Sequence, residues 1–291
     1  MRRRTFLLAT AALAAPLPAQ AAAARFSKGL LWRVAGRGTT SYVYGTIHVA
    51  DPRLAALPVP VNDAFAAASS LTVEYVADTY GKERFLEAAM FTDGRTLEKT
   101  IGAQDFELAY QHLKRIGLTR EFVNRLKPWG VLLNLRNPRG ANGASLDAQL
   151  LAQARTRHLP LYMMEDVEEQ VFTFDEFPMA AQVALLKHSL AHQDELIAMA
   201  DRTLDAYLRR DLGAIWRIQQ DFARRHPEIT ADNAVFLKRV IFDRSVVMAF
   251  RMQHQLRRGN AFVALGALHL YGRKGVLALL GEDGYRAKRV Y

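Results

Sequence analysis

Residues 42–52 read YVYGTIHVADP, and residues 261–272 read AFVALGALHLYG. Each is an apolar run that reaches a glycine, Gly45 or Gly266, and three positions later a histidine, His48 or His269. Short apolar runs of this kind predict strands. Glycine at a strand end lets the backbone bend or approach a neighbour closely, so that a side chain three residues on can turn across the end of a sheet. Two such phrases some 220 residues apart are either coincidence or two halves of one site.

Outward from the first phrase, GLLWRVAGRGTTSYVYGTIHV predicts two strands around the turn at residues 36–40, a β-hairpin. Residues 59–70 predict a helix, opened by Pro60 and Asn62 with Ala64, Phe65 and Ala68 on its apolar side. LTVEYV, 71–76, predicts a buried strand containing Glu74, and LPLYMMED, 159–166, a second one closed by Glu165 and Asp166. Between them, residues 80–136 are mostly helical with breaks near Asp93-Gly94, Gly117 and Pro128. A turn follows at Asn137-Pro138-Arg139-Gly140, and a helix starts at Ser145-Leu146-Asp147. A long helical pattern covers residues 179–225 and another 232–258, leading into the last phrase. The chain closes as helix, turn and edge strand. Strands separated by helices make the protein α/β, with a mixed central sheet opened by a β-hairpin and flanked by many helices. The echo of strand, GxxH and helix suggests an internal duplication with one GxxH motif per half.

The chain has 291 residues, half of them apolar, enough for a substantial core. Its start, MRRRTFLLATAALAAPLPAQAAAA, joins a basic segment, a short apolar stretch and Ala19-Gln20-Ala21. It predicts a signal peptide over residues 1–21, and residues 22–291 form one domain. Arg3-Arg4-Thr5-Phe6-Leu7-Leu8 also fits a twin-arginine pattern, with an ordinary secretory signal as the alternative. The expected location is the bacterial periplasm, or a membrane-tethered form if the signal is retained. The formal charge of +10 falls by three to +7 once Arg2, Arg3 and Arg4 leave, and the remaining Lys and Arg are interleaved with acids. No nucleic-acid module is present in the sequence pattern. With no cysteine, disulfides, thiolate metal sites and cysteine nucleophiles are excluded, and any metal must be held by His, Asp or Glu.

Sites in α/β sheets gather at the carboxyl ends of strands. There the sequence puts His48, Glu74, Glu165 and His269, two imidazoles and two carboxylates, a sufficient set for a divalent metal with an open coordination position. A buried Glu74 needs a cation, a donor or a proton nearby. HSLAHQDE, 188–195, offers a rival set, His188 and His192 at i, i+4 with Glu195 beyond. Ser189 stands where a metalloprotease HExxH would carry its glutamate, and the segment reads as a polar helix face.

The two GxxH phrases, the opening LLWRV, the VEY strand, KPW at 127–129 and the closing VALGALHLYGRKGVLALLGEDGY together resemble the TraB/GumN family, within the Tiki-like superfamily. The resemblance runs from about Leu31 to Tyr291. It implies a metal-dependent peptidase or hydrolase, the Tiki members being manganese- or cobalt-dependent proteases. Carried over by matching motifs, His48, Glu74, Glu165 and His269 are the site positions. Arg244 matches an arginine that members often follow with Asn, whereas this chain has Ser245.

The leading expectation is metal-assisted hydrolysis of a peptide or protein in the cell envelope. His48, Glu74 and His269 hold manganese, cobalt or zinc, Glu165 completes the ligand set or takes the proton of water, and Arg244 faces the developing oxyanion. The alternative is a non-catalytic envelope protein that uses the same cleft to bind a metal, haem or peptide.

Overall fold

The computed structural model describes residues 26–76, 78–135 and 145–291. Residues 1–21, read from the sequence as a signal peptide, and the turn expected at Asn137-Pro138-Arg139-Gly140 lie outside the described residues.

The hairpin forms as read. Strand β1 (Leu31–Gly36) pairs antiparallel with β2 (Thr39–Thr46), with Gly36 opposite Thr39. The two-residue turn has Arg37 at φ 53° and Gly38 at φ 80°. Paired positive φ angles give the turn twist that matches flanking strands, which explains why glycine takes one of the two places. Helix α1 (Val59–Ala66) then leads to β3 (Ser70–Val73). The segment up to the second acidic strand holds α2 (Thr79–Ala88), α3 (Leu97–Ile101), α4 (Ala103–Lys114), α5 (Arg120–Arg125), α6 (Pro128–Leu135) and α7 (Leu146–Thr156). Ser145 caps α7, its hydroxyl accepting from the Ala148 N–H at 3.3 Å.

Strand β4 (Leu161–Met163) precedes α8 (Val167–Asp175), α9 (Met179–Ala191), α10 (Gln193–Leu208), α11 (Leu212–Arg225) and α12 (Thr230–Leu237). The long pattern over 179–225 is thus three helices. His192 leaves helical geometry at φ −119°, ψ 34°, and Arg210 adopts φ 59° before Asp211 caps α11. The pattern over 232–258 is interrupted as well: a π-helical turn, Lys238–Asp243, joins α12 to α13 (Arg244–Arg258). Strand β5 (Ala261–Gly266), a 3-10 turn (Ala267–Leu270), α14 (Val276–Glu282) and edge strand β6 (Arg286–Arg289) complete the chain.

The sheet order is β4-β3-β5-β2-β1-β6, mixed as expected: β4, β3, β5 and β2 are mutually parallel, and β1 is antiparallel to both its neighbours. Central β5 is apolar throughout and buried from Ala261 to Leu265, the pattern of a strand covered on both faces. Phe262 packs edge-on against Phe65 of α1, a fully buried aromatic pair contributing roughly 1.5–3 kcal/mol per ring. A second apolar cluster lies among the helices, with Leu97, Phe106, Trp129, Leu132, Phe174, Leu185 and Leu186 at its centre. Among the described residues, no helix is long and apolar enough to cross a membrane.

Both acidic strands stop earlier than the sequence predicts. Strand β3 ends at Val73 and β4 at Met163, so Glu74 and Glu165 lie just past the ladder rather than in it. Their backbones stay joined, because the Glu165 N–H donates to the Glu74 carbonyl at 2.8 Å. Leaving the sheet frees both carboxylates to find charged partners, which a buried ladder position would deny them.

Candidate metal-binding active site

Parallel pairing of β2 with β5 brings the two GxxH phrases side by side, with Thr46 opposite Gly266. The glycines are therefore offset by one residue, Gly45 standing opposite Leu265. They have different tasks. A Cβ on Gly45 would fall 2.7 Å from Leu270 Cδ1 and 3.1 Å from Ala267 Cα, so Gly45 admits the 3-10 turn of the second phrase. A Cβ on Gly266 would fall 3.3 Å from Glu74 Oε1, 3.4 Å from His269 Cδ2 and 3.7 Å from His48 Nε2. Those three atoms surround one point, so no two of them are farther apart than twice 3.7 Å. The two histidines and Glu74 thus converge on the space that Gly266 leaves.

Each imidazole is oriented by its other nitrogen. His269 is buried, and its Nδ1 lies 3.2 Å from the Ile241 carbonyl and 2.9 Å from Ser245 Oγ. The Ser245 hydroxyl itself donates to Ile241 at 2.6 Å, so its oxygen accepts from His269 Nδ1–H. His269 Nε2 keeps its lone pair and lies 3.9 Å from Glu74 Oε1. His48, with its side chain 63% exposed, donates from Nδ1 to Asp147 Oδ2 at 3.0 Å, and its Nε2 is left to face the cavity. Asp147 is held by the Thr46 hydroxyl at 2.8 Å and stands in the first turn of α7. A histidine with one nitrogen tied to a carboxylate or carbonyl is the usual form of a metal ligand.

Behind this pair lies a buried charge cluster. Arg244 donates from Nε to Glu165 Oε1 at 2.8 Å, and from Nη2 to Glu165 Oε2 at 2.7 Å and Glu74 Oε2 at 2.6 Å. Its Nη1 donates to the Val240 carbonyl at 3.2 Å. Glu74 Oε1 accepts from the Gly266 N–H, and Glu165 Oε2 also accepts from Gln170 at 2.6 Å. The π-helical turn has a purpose in this cluster. It directs the Val240 carbonyl at Arg244 and the Ile241 carbonyl at Ser245 and His269, irregular backbone at the point where the side chains converge.

These neighbours set the charges. Burial would push Glu74 up, but His269, Arg244 and His48 more than offset it and hold the carboxyl at about 2. Burial pushes His269 down to about 4 against the pull of Glu74. A neutral His269 no longer contributes at neutral pH, so Arg244 and His48 are the cations that keep Glu74 ionised. The Asp147 hydrogen bond pushes His48 up to about 9. The cavity holds about 200 Å³ and is lined by His48, Glu74, Arg244 and His269 together with Thr203 and Tyr207. One neutral imidazole, one imidazole that can release its proton and one ionised carboxylate match the donor set for a divalent ion.

The expected polar helix face at His188 and His192 is a correction. His188 is only 8% exposed, and its ring stacks on His192 with centroids 4.1 Å apart. His226 joins them, and the three offer ligand atoms within 4.8 Å of one another, a group able to hold a metal ion. Sequence reasoning missed His226, 34 positions beyond His192. It also passed over Asp147, read only as the start of a helix, and Gln170. Ser245, seen there as a departure from a family pattern, is the hydrogen-bond partner of His269.

Comparison with known proteins gives one finding. The sequence model described as the TraB/PrgY/gumN family matches residues 30–289, from the residue before β1 to the end of β6. No curated protein and no solved structure matches the chain.

Proposed function

The chain belongs to the TraB/PrgY/gumN family, and from that membership and the geometry at the ends of β2 and β5 we propose that it is an exported, periplasmic metal-dependent hydrolase cleaving a peptide bond in a cell-envelope substrate. The observation that carries the proposal is the convergence of His48 Nε2, Glu74 Oε1 and the His269 ring on the space beside Gly266. His48, Glu74 and His269 would hold a manganese, cobalt or zinc ion. Such an ion supplies a water of lowered pKa and polarises a carbonyl.

The chain's own residues supply the rest. Ser245 and the Ile241 carbonyl fix His269 with Nε2 towards the cavity, and Asp147 fixes His48 in the same sense. Arg244 keeps Glu74 ionised and retains one Nη1 N–H without a partner among the described residues, a donor available to a developing oxyanion. Glu165, whose two oxygens are taken by Arg244 and Gln170, anchors that guanidinium.

The test is metal analysis of the purified chain followed by cleavage of a peptide library with manganese, cobalt and zinc, for the wild type and His48→Ala. Metal-dependent cleavage by the wild type and its loss in the variant are expected. A wild type that binds metal and cleaves nothing would leave the cleft a binding site.

A further inference from the structure

The three histidines at the α9–α10 joint lie in a different part of the fold from the cavity beside Gly266. His188 is on the last turn of α9, His192 is the single residue between α9 and α10, and His226 follows α11. The rings form a closed group. His226 sits 4.4 Å from His188 and 4.6 Å from His192 between centroids, and Phe222 covers the group from α11.

Hydrogen bonding ties down one nitrogen of His192 and one of His226 and leaves the other nitrogen of each ring for a ligand. His192 Nδ1 donates to the His188 carbonyl at 2.9 Å, so Nε2 has a free lone pair. His226 Nε2 donates to Glu195 Oε2 at 2.8 Å, and Glu195 is held in turn by Arg225 Nε at 2.9 Å, so in the neutral ring Nδ1 carries the lone pair. His188 Nε2 is buried with no hydrogen-bond partner. Glu228 Oε1 stands 3.1 Å from His188 Nε2, in poor hydrogen-bond geometry, and 3.3 Å from His226 Nδ1, with its side chain largely in solvent.

Packing alone does not account for this. Three protonated rings this close together repel one another. A buried polar nitrogen without a partner is costly. A Lewis acid at the centre satisfies all three at once. The carbonyl on His192 and the carboxylate on His226 are the outer-shell partners that metal-bound histidines normally carry. We propose that His188, His192 and His226 form a second metal site for a nitrogen-preferring divalent ion of the zinc class, with the Glu228 carboxylate closing the coordination sphere from the solvent side. Zinc–nitrogen bonds of about 2.0–2.1 Å place tetrahedral ligands roughly 3.4 Å apart, so contraction from within 4.8 Å asks for only small ring movements. The ion pins the α9–α10 joint to the end of α11, a staple for the helical part of the fold.

The test uses the full chain, stripped with a chelator and carrying His48→Ala so that the first cavity is disabled whatever its function. Zinc is titrated by calorimetry, and cobalt by its visible spectrum. One equivalent of zinc should bind, cobalt should give the intense bands of a four-coordinate nitrogen site, and zinc should raise the melting temperature. Adding His192→Ala should weaken zinc at least tenfold, while circular dichroism of the metal-free protein stays the same. If that variant fails to fold, the cobalt spectrum of His48→Ala decides alone. No stoichiometric zinc, a weak six-coordinate cobalt spectrum, or unchanged affinity in folded His48→Ala/His192→Ala would overturn the proposal.

Discussion

Among the described residues, Arg244 is the one cation hydrogen-bonded to both carboxylates, and replacing it with Met keeps an unbranched apolar stem while removing the guanidinium and its charge. The three side chains are 12%, 11% and 3% exposed for Arg244, Glu74 and Glu165. Without the guanidinium, Glu165 Oε1 loses its donor and Glu165 Oε2 keeps only Gln170, while Glu74 keeps the Gly266 N–H. Breaking a buried pair on one side costs about 3–5 kcal/mol, against at most about 1 kcal/mol for an exposed one. The expected loss at pH 7 is therefore about 3–5 kcal/mol, measured by urea unfolding of the metal-free protein. The pH dependence has a definite sign. Glu74 is held near 2 against an ordinary 4.5, so its contribution is complete above pH 4.5 and is lost as pH falls from 4.5 to 2. In Arg244→Met the Glu74 carboxyl protonates more readily, and the gap between the two proteins should narrow through that window. Adding Glu165→Gln to Arg244→Met should recover at least about 1 kcal/mol by removing one unpaired charge. A loss below about 1 kcal/mol at pH 7, or a gap that widens on acidification, would refute the reasoning.

Ser245→Ala leaves His269 Nδ1 with the Ile241 carbonyl alone; metal affinity measured by calorimetry should fall about 10–100-fold, with about 1 kcal/mol lost in urea unfolding. Gly266→Ala places a methyl where the ligands converge, at a φ of −54° that any residue adopts, so the fold should survive while metal binding and peptide cleavage fall at least about tenfold. Gly45→Ala should instead cost about 1–3 kcal/mol of stability through its clash with Leu270 and Ala267, and equal effects from the two glycine variants would sink the division of labour argued for them. Histidine NMR titration should find His48 near 9 in the metal-free protein, and Asp147→Asn should bring it down towards 6.5; a His48 that already titrates near 6.5 in the wild type removes Asp147 as its partner.

Local physics was legible in the residues. Alternating and continuous apolar runs marked the strands, Gly38 marked the hairpin turn, Ser145 the start of α7, and the weakly apolar RAKR an edge strand, because each depends on neighbours within a few positions. The two GxxH phrases were legible as strand ends for the same reason. The resemblance they carried pointed to the family whose model spans residues 30–289. What made them a site was not local. The β2–β5 register, the one-residue offset of the glycines and the release of Glu74 and Glu165 beyond their strands came from pairings between distant segments, and no short window of sequence encodes a parallel register. The π-helical turn carries no proline or glycine to announce it, and its carbonyls matter only because β5 delivers His269 beside them. The histidine group shows the same limit in reverse. At i, i+4, His188 and His192 look like a solvated face, and only the packing of α11 against α9 and α10 buries them beside His226. Sequence by itself determined the elements and the chemistry at their ends. Tertiary structure alone decided which ends meet, because that depends on burying one apolar surface against another across the whole chain.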